Sequence, residues 1–251
     1  MVGFNGSKVV LANDINDRLK DNLIQSGYQV VKYERENSTR RFYTARHVPL
    51  VKYLKENYSS FRYTIFSDIR DVVYQTNPSD WLEKHLSPRK IVGITESIKF
   101  KDEKVYNDPQ MLHLCSTQGT SLEYRWMREQ DVCNYGLLAG ESKEMYEIIS
   151  KIQDVLNSDS GDLIDQAVLN CVIRTSPFKE VATVTDFSEG FGAQLHWVQT
   201  ADKKLLTNEV PRLDKETGLV YPAGKDEPFA ALHHYDQDPE WGTPIHKRYE
   251  T

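Results

Sequence analysis

The sequence predicts an α/β fold: a single domain in which a Rossmann-like mixed, mostly parallel sheet is flanked by helices. Three observations carry this. Short β-branched runs alternate with stretches of helical periodicity through the first hundred residues. The 251 residues are 39% hydrophobic and 27% charged, a balance that suits a globular body with a substantial core. No internal repeat, low-complexity tract or interdomain linker divides the chain.

The elements follow in order. "KVVLAN" (8–13) is the first strand, and Asp14 can cap the helical "INDRLKDNLIQSG", which Gly27 ends. "YQVVKYE" (28–34) is the second strand. "FYTARHVPLVKYLKENY" is the second helix, on which Val48, Val51 and Leu54 follow the helical period despite Pro49. "YTIFS" (63–67) is the third strand, "DWLEKHL" a short helix after Pro78, and "KIVGITE" (90–96) the fourth strand. Residues 97–131 are polar without clear period and predict a long excursion. "VCNYGLLAGE" (132–141) is a strand. "SKEMYEIISKIQDVLN" (142–157) is a helix opened by Ser142, and "GDLIDQAVLNCVIR" (161–174) one capped by Asp162. "EVATVTDF" (180–187) is a strand. From 188 the chain is rich in Gly, Pro and charge, and the apolar "FAALHHY" (229–235) predicts a tail that wraps back to complete the domain.

Composition narrows function. A formal net charge of -6 argues against a nucleic-acid partner bound through a basic face. No run approaches the roughly 18 apolar residues a bilayer span needs, and "MVGFNGSKVVLAND" lacks a basic segment followed by a long apolar one, so a cytoplasmic protein without a transmembrane segment is expected. Cys115, Cys133 and Cys171 are widely spaced without CxxC, which predicts reduced structural thiols. Gly190 and Gly192 do not complete G-x-G-x-x-G, and neither a P-loop nor G-x-S-x-G occurs.

The chemistry concentrates in "YTIFSDIRDVVYQTNP" (63–78), where an apolar run delivers Asp68, Arg70 and Asp71. Charge at the end of a buried strand is costly unless something pairs with it, and open α/β sheets bind ligands beyond the carboxyl ends of their strands. Hard cations such as Mg²⁺ and Mn²⁺ prefer carboxylate oxygens and leave room for phosphates. Two acids three apart on a turning chain can serve one ion, while Arg70 can brace a phosphate or hold a carboxylate. The alternative is a turn with surface acids and a local Arg–Asp pair.

"SDIRDVVYQTNP" resembles the metal-binding segment of GT-A glycosyltransferases, whose signature is DxD or, in one branch, S-D-x-R-D-V-x-x-Q-x-x-P. Four further segments resemble family segments in family order: "RHVPLVKYL" the preceding helix, "NYGLLAGESKEM" the N-x-G-x-x-A-G segment, "DLIDQAVLN" the D-Q-x-x-x-N helix, and "HHYDQDPEW" with the later "RY" the closing H-x-Y-D-x-x-P segment. Together they extend from about residue 46 to 249, and the resemblance is nearest to glycosyltransferase domains of large chloroviruses.

The resemblance implies a GT-A-like fold and a retaining, metal-dependent hexosyltransferase. It would use Mn²⁺ or Mg²⁺ to move a glucose-like sugar or rhamnose from a UDP-sugar to a hydroxyl of a glycan or glycoprotein. Residues 1–100 would be the nucleotide-binding half and 101–251 the acceptor-side half. Ala12, Asn13 and Asp14 match the place that holds uracil and ribose, Arg46 reaches the diphosphate, and Ser67, Asp68 and Arg70 line the donor. Asp68 and Asp71 meet the ion, with one residue more between them than in DxD, which leaves open which acid ligates it. His233 completes the ion's shell, only one of His233 and His234 facing inwards because a strand alternates its faces. Asp165 and Gln166 match the D-Q pair at the anomeric carbon, and Asn134 and Gly136 contact sugar hydroxyls. The bland alternatives are helix caps for Asn13 and Asp14, a solvated charge for Arg46, first-turn acids for Asp162 and Asp165, an ordinary turn for Asn134 and Gly136, and a core histidine or exposed pair for His233 and His234. Rival functions are a non-catalytic nucleotide-sugar or carbohydrate-binding module, and a metal-dependent phosphohydrolase or nucleotidylyltransferase. The last would show a Gly-rich N-terminal loop, which "KVVLANDIND" lacks.

Overall fold

The computed structural model describes residues 3–34, 45–104, 107–117, 123–158, 163–200 and 203–249, and the expected capping residue Asp162 lies outside them. Strands β1 (Lys8–Ala12) and β2 (Tyr28–Lys32) pair in parallel through helix α1 (Asp17–Gln25). The cap of α1 is Asn16 rather than Asp14, since Asn16 Oδ1 accepts from Leu19 N at 2.8 Å and Asp14 lies too far upstream of the first turn. Gly27 takes the left-handed φ of +78° that lets the chain leave the helix. Helix α2 (His47–Asn57) buries His47, Pro49 and Leu54 and packs Val51 against the core, whereas Val48, expected on the same face, is exposed. Pro49 is harmless in the first turn, where no helical carbonyl needs its N–H.

Strand β3 (Tyr63–Ser67) matches its expected bounds, and a short strand β4 (Val72–Tyr74) follows. Helix α3 (Pro78–His85) is capped by Asn77 and precedes β5 (Ile91–Lys99). The expected excursion contains helices α4 (Asn107–Thr117) and α5 (Tyr124–Met127). Then come β6 (Asp131–Glu141), α6 (Ser142–Ser158), α7 (Asp165–Val172) and β7 (Ala182–Thr185). The tail supplies β8 (Gly192–Gln194), α8 (His196–Thr200), β9 (Arg212–Leu213), β10 (Val220–Tyr221), β11 (Ala231–His233) and α9 (Pro239–Tyr249). Among the described residues no helix is long and apolar enough to cross a membrane.

The central sheet has the order β3-β6-β5-β7, with β6 antiparallel to both neighbours and β5 parallel to β7. A second sheet, β4-β11-β8, joins the tail to the segment after β3. The architecture is thus the expected mixed α/β, with β6, which arrives from later in the chain, running antiparallel between β3 and β5. Because β3 and β5 both oppose β6, their carboxyl ends point the same way.

Both faces of this sheet are covered, so its strands are almost continuously apolar. Ile91, Tyr135 and Leu138 pack with Leu54 of α2, Met145 and Ile149 of α6 and Val168 of α7. Val92, Leu137 and Ala139 face the other way, against Leu82 of α3 and Ala231 of β11. At Gly140 an added Cβ would strike the carbonyl of Lys90, which is why only glycine lets the strands approach there.

The β5–β6 ladder jumps from Gly93↔Leu138 to Ile94↔Asn134, looping Tyr135, Gly136 and Leu137 out of that pairing. Asn170 of α7 holds this irregularity: its Oδ1 accepts from Cys133 N at 2.8 Å and its Nδ2 donates to Cys133 O at 2.7 Å. Asn170→Ala leaves both backbone groups buried and unsatisfied, and is expected to cost about 3 kcal/mol in urea unfolding. A loss below about 0.5 kcal/mol would mean that the irregularity is held by other contacts.

Candidate functional site

At the carboxyl end of β3 the chain turns through Asp68–Asp71 before entering β4. Pairing of β4 with β11 sets Val72 opposite His233, and His234 N donates to Asp71 O at 3.0 Å. This register brings an acid from the first half of the chain against two histidines of the tail. His233 is 1% exposed, with Nε2 3.4 Å from Asp71 Oδ1 and 3.7 Å from Asp68 Oδ2. His234 Nε2 is 3.7 Å from Asp71 Oδ2.

The expectation that one histidine of the pair faces inwards is overturned. His234 has φ +52°, a left-handed conformation rare for a residue with a side chain, and this breaks the alternation of β11. Both rings turn to the acids, their centroids 4.2 Å apart, and His196 stacks edge-on behind His234 at 5.9 Å. Gly136 makes room for them, because a Cβ there would collide with the His233 imidazole.

Arg46, at the start of α2, links the acids. Its Nε and Nη2 reach Asp165 Oδ2 at 2.8 and 2.6 Å, and its Nη1 reaches Asp68 Oδ1 at 3.0 Å. The guanidinium lies over the Tyr135 ring at 5.0 Å, so it is a built part of the site and not a solvated charge. Asp165, first residue of α7, also accepts from Gln166 N. Arg70 is 76% exposed, with Nη2 3.3 Å from Asp71 Oδ2.

Electrostatics separate these groups. His233 in polar contact holds the Asp71 carboxyl well below the usual range despite burial, with further help from His234 and Arg70. Burial, then the neighbouring His233, pushes His234 down to about 4, so it is a neutral imidazole at pH 7. Burial raises the Asp165 carboxyl against the pull of Arg46. For Arg46 burial opposes the charge, but Asp165 and Asp68 outweigh it and raise the guanidinium.

Beside this cluster lies a second hydrogen-bonded network, centred on Glu96. Asn134 Nδ2 donates to Glu96 Oε1 at 2.9 Å and to Gln166 Oε1 at 3.2 Å, and its Oδ1 accepts from Gly136 N at 2.7 Å. Gln166 Nε2 donates to Glu96 Oε1 at 3.0 Å, while its Oε1 accepts from Tyr135 N. Trp197 Nε1 completes the carboxylate at 3.0 Å. Glu96 and His234 are the residues that the sequence analysis missed. Glu96 had a signal, since "KIVGITE" ends in an acid just as "YTIFSD" does.

Asn13 and Asp14 are exposed at the end of β1, and among the described residues no hydrogen bond or ion pair joins Ala12, Asn13 or Asp14 to the acids. Ser67 ends β3, paired with Leu137.

Asp71, His233 and His234 offer one oxygen and two nitrogens within 4.8 Å of one another. Both ring nitrogens of His233 are buried without a hydrogen-bond partner among the described residues. A buried imidazole without hydrogen-bond partners, facing two carboxylates, is a donor set that could hold a divalent cation.

No family model matches the chain, and no curated protein does. Solved structures do share its architecture. WbbM, described as a bifunctional glycosyltransferase, superposes with a TM-score of 0.56 at 14% identity, over 100% of this chain and 47% of its own, so this chain spans about half of that one. An active-site mutant of LgtC gives 0.53 at 12% identity, over 90% of this chain and 75% of its own. A glycosyltransferase involved in glycosylating the major capsid of PBCV-1 aligns less closely, at 0.44 and 9%, and nothing about this chain rests on it. At these identities the likeness establishes the fold: the chain has the GT-A-like α/β architecture of the WbbM and LgtC structures.

Proposed function

We propose that this protein is a metal-dependent glycosyltransferase that moves a glucose-like sugar or rhamnose from a UDP-sugar to a hydroxyl of a glycan or glycoprotein, with retention. The observation that carries this is the group of buried Asp71 and His233 with half-buried His234 at the carboxyl end of β3, set beside Asp68–Arg46–Asp165 within that fold.

Asp71, His233 and His234 would hold Mn²⁺ or Mg²⁺, which supplies positive charge where the departing diphosphate gains negative charge. Arg46 adds a fixed cation beside Asp68, and Ser67, Asp68 and Arg70 are assigned to the donor. Ala12, Asn13 and Asp14 are assigned to uracil and ribose, so residues 1–100 form the nucleotide half and 101–251 the acceptor side. Asp165 and Gln166 are assigned to the anomeric centre, and Asn134 with Gly136 to the sugar.

Retention is supported by how the acids are engaged. Asp68 and Asp165 are bound by Arg46, and Asp71 faces both imidazoles, so none of the three stands free as a general base for the acceptor.

With Mn²⁺ and a panel of UDP-sugars, the protein should release UDP slowly, and faster when glycan acceptors are added. Binding without release, acceptors included, would favour a carbohydrate- or nucleotide-binding module. Asp71→Ala should abolish metal-dependent UDP binding in calorimetry; unchanged affinity would remove this acid from the ion's shell.

The metal-free protein should also lose stability as pH falls. An unfolded histidine takes a proton near pH 6.5, whereas folded His234 resists protonation down to about pH 4. The unfolded state therefore binds more protons across that window, and stability declines from its upper to its lower edge. His234→Gln should flatten this decline in thermal unfolding between pH 7 and 4; an unchanged slope would place its origin elsewhere.

A further inference from the structure

Glu96 is a buried carboxylate for which the proposed chemistry has no use. It is 6% exposed on β5, and among the described residues no lysine, arginine or histidine pairs with it. Three neutral N–H groups converge on it instead: Asn134 Nδ2, Gln166 Nε2 and Trp197 Nε1. The following residue, Ser97, takes a left-handed φ of +59°, and its N–H is satisfied by Thr95 Oγ1. A buried acid compensated only by neutral donors, beside a strained backbone, is expensive to keep for packing alone.

Its contacts lead to the site by two routes. Through Asn134 it fixes Gly136, whose N–H donates to Asn134 Oδ1, whose carbonyl accepts from Asp68 N, and whose bare Cα abuts His233. Through Gln166 it fixes the residue after Asp165, the acid gripped by Arg46. The donors also settle amide orientation. Gln166 Oε1 accepts from Tyr135 N and Asn134 Nδ2, so its nitrogen must face an acceptor, and Glu96 Oε1 is that acceptor.

We propose that Glu96 is a positioning residue for glycosyl transfer: its carboxylate sets the amides of Asn134 and Gln166, and through them the backbone at Gly136, in the geometry that transfer requires. This rests on the transferase reading above. Glu96 itself touches neither the cation group nor Arg46, so its effect belongs in turnover and not in nucleotide affinity.

The test compares Glu96→Gln, Glu96→Asp and Trp197→Phe with the wild-type protein, measuring UDP-sugar turnover, UDP affinity with Mn²⁺ and thermal unfolding. An amide offers one acceptor oxygen and two N–H donors, so three converging donors cannot all be met by Glu96→Gln. Its kcat should fall about 10- to 100-fold, as for other small losses of geometry. UDP affinity should stay within about twofold. Glu96→Asp keeps the acceptor charge and should recover part of kcat. Trp197→Phe disturbs the same carboxylate without breaking either route, and should stay within about threefold of wild-type kcat.

The outcomes separate cleanly. Wild-type turnover with Glu96→Gln equally active, or Trp197→Phe as impaired as Glu96→Gln, overturns the positioning role alone. No wild-type turnover with any donor removes the transferase reading and the role with it. If Glu96→Gln does not fold, loss of UDP binding reveals it, and Glu96→Asp decides: a fall in kcat at unchanged UDP affinity supports the role, and unchanged kcat overturns it.

Discussion

The clasp of Arg46 between Asp68 and Asp165 is the interaction on which the site depends. It joins the start of α2, the end of β3 and the start of α7, so residues 22 and 119 positions away in sequence share one guanidinium. Burying such a group is unfavourable unless its partners are close and well oriented. Here two donors meet one oxygen of Asp165, a third meets Asp68, and the Tyr135 ring covers one face. Even so, one buried cation serves Asp68 and Asp165, while Asp71 has the exposed Arg70 and two imidazoles, of which His234 is neutral. A divalent cation near Asp71 would add positive charge where three carboxylates gather.

That charge pattern is possible because β6 runs against both β3 and β5. Their carboxyl ends then open on one side, which puts the acids following β3 and Glu96 within β5 around the same stretch of β6. The loop of Tyr135, Gly136 and Leu137 out of the β5 ladder supplies the local shape. It frees Tyr135 N for Gln166, lets Gly136 approach His233, and leaves Leu137 to pair with Ser67. Asn170 holds the other edge of this irregularity from α7, so helix packing and site geometry are one construction.

What the sequence made legible follows from period length. β3, β5, β6 and α6 are long enough for their apolar pattern to identify them, and the acids after β3 stood out because charge follows a buried run. β4 and β8 have three residues each, too few to show a period, so the strands that flank the expected apolar run at 229–235 were not legible. Helices α4 and α5 were hidden because their buried residues, such as Met111, Leu114 and Met127, are scattered among polar ones. His234 was rejected by a sound rule of strand alternation, which a positive φ suspends. Gly136 was singled out for the right property, closeness of approach, though the ring that approaches it belongs to His233.

The spacing of Asp68 and Asp71 also has a physical account. If both acids were to grip one ion symmetrically, the extra residue between them would be a defect. The structure gives them different neighbours. Asp68, one-third exposed, spans Arg46 and the edge of His233, whereas Asp71 is buried against both histidines. Ile69 and Arg70, the residues between, project into solvent at 70% and 76% exposure, so the turn lengthens outwards without moving either acid from its partners. A second imidazole beside Asp71 stands where a symmetric pair of carboxylates would put an acid. Separated acids and paired histidines are therefore two parts of one arrangement, because the longer turn leaves Asp68 beside Arg46 and the left-handed turn at His234 brings a second imidazole to Asp71.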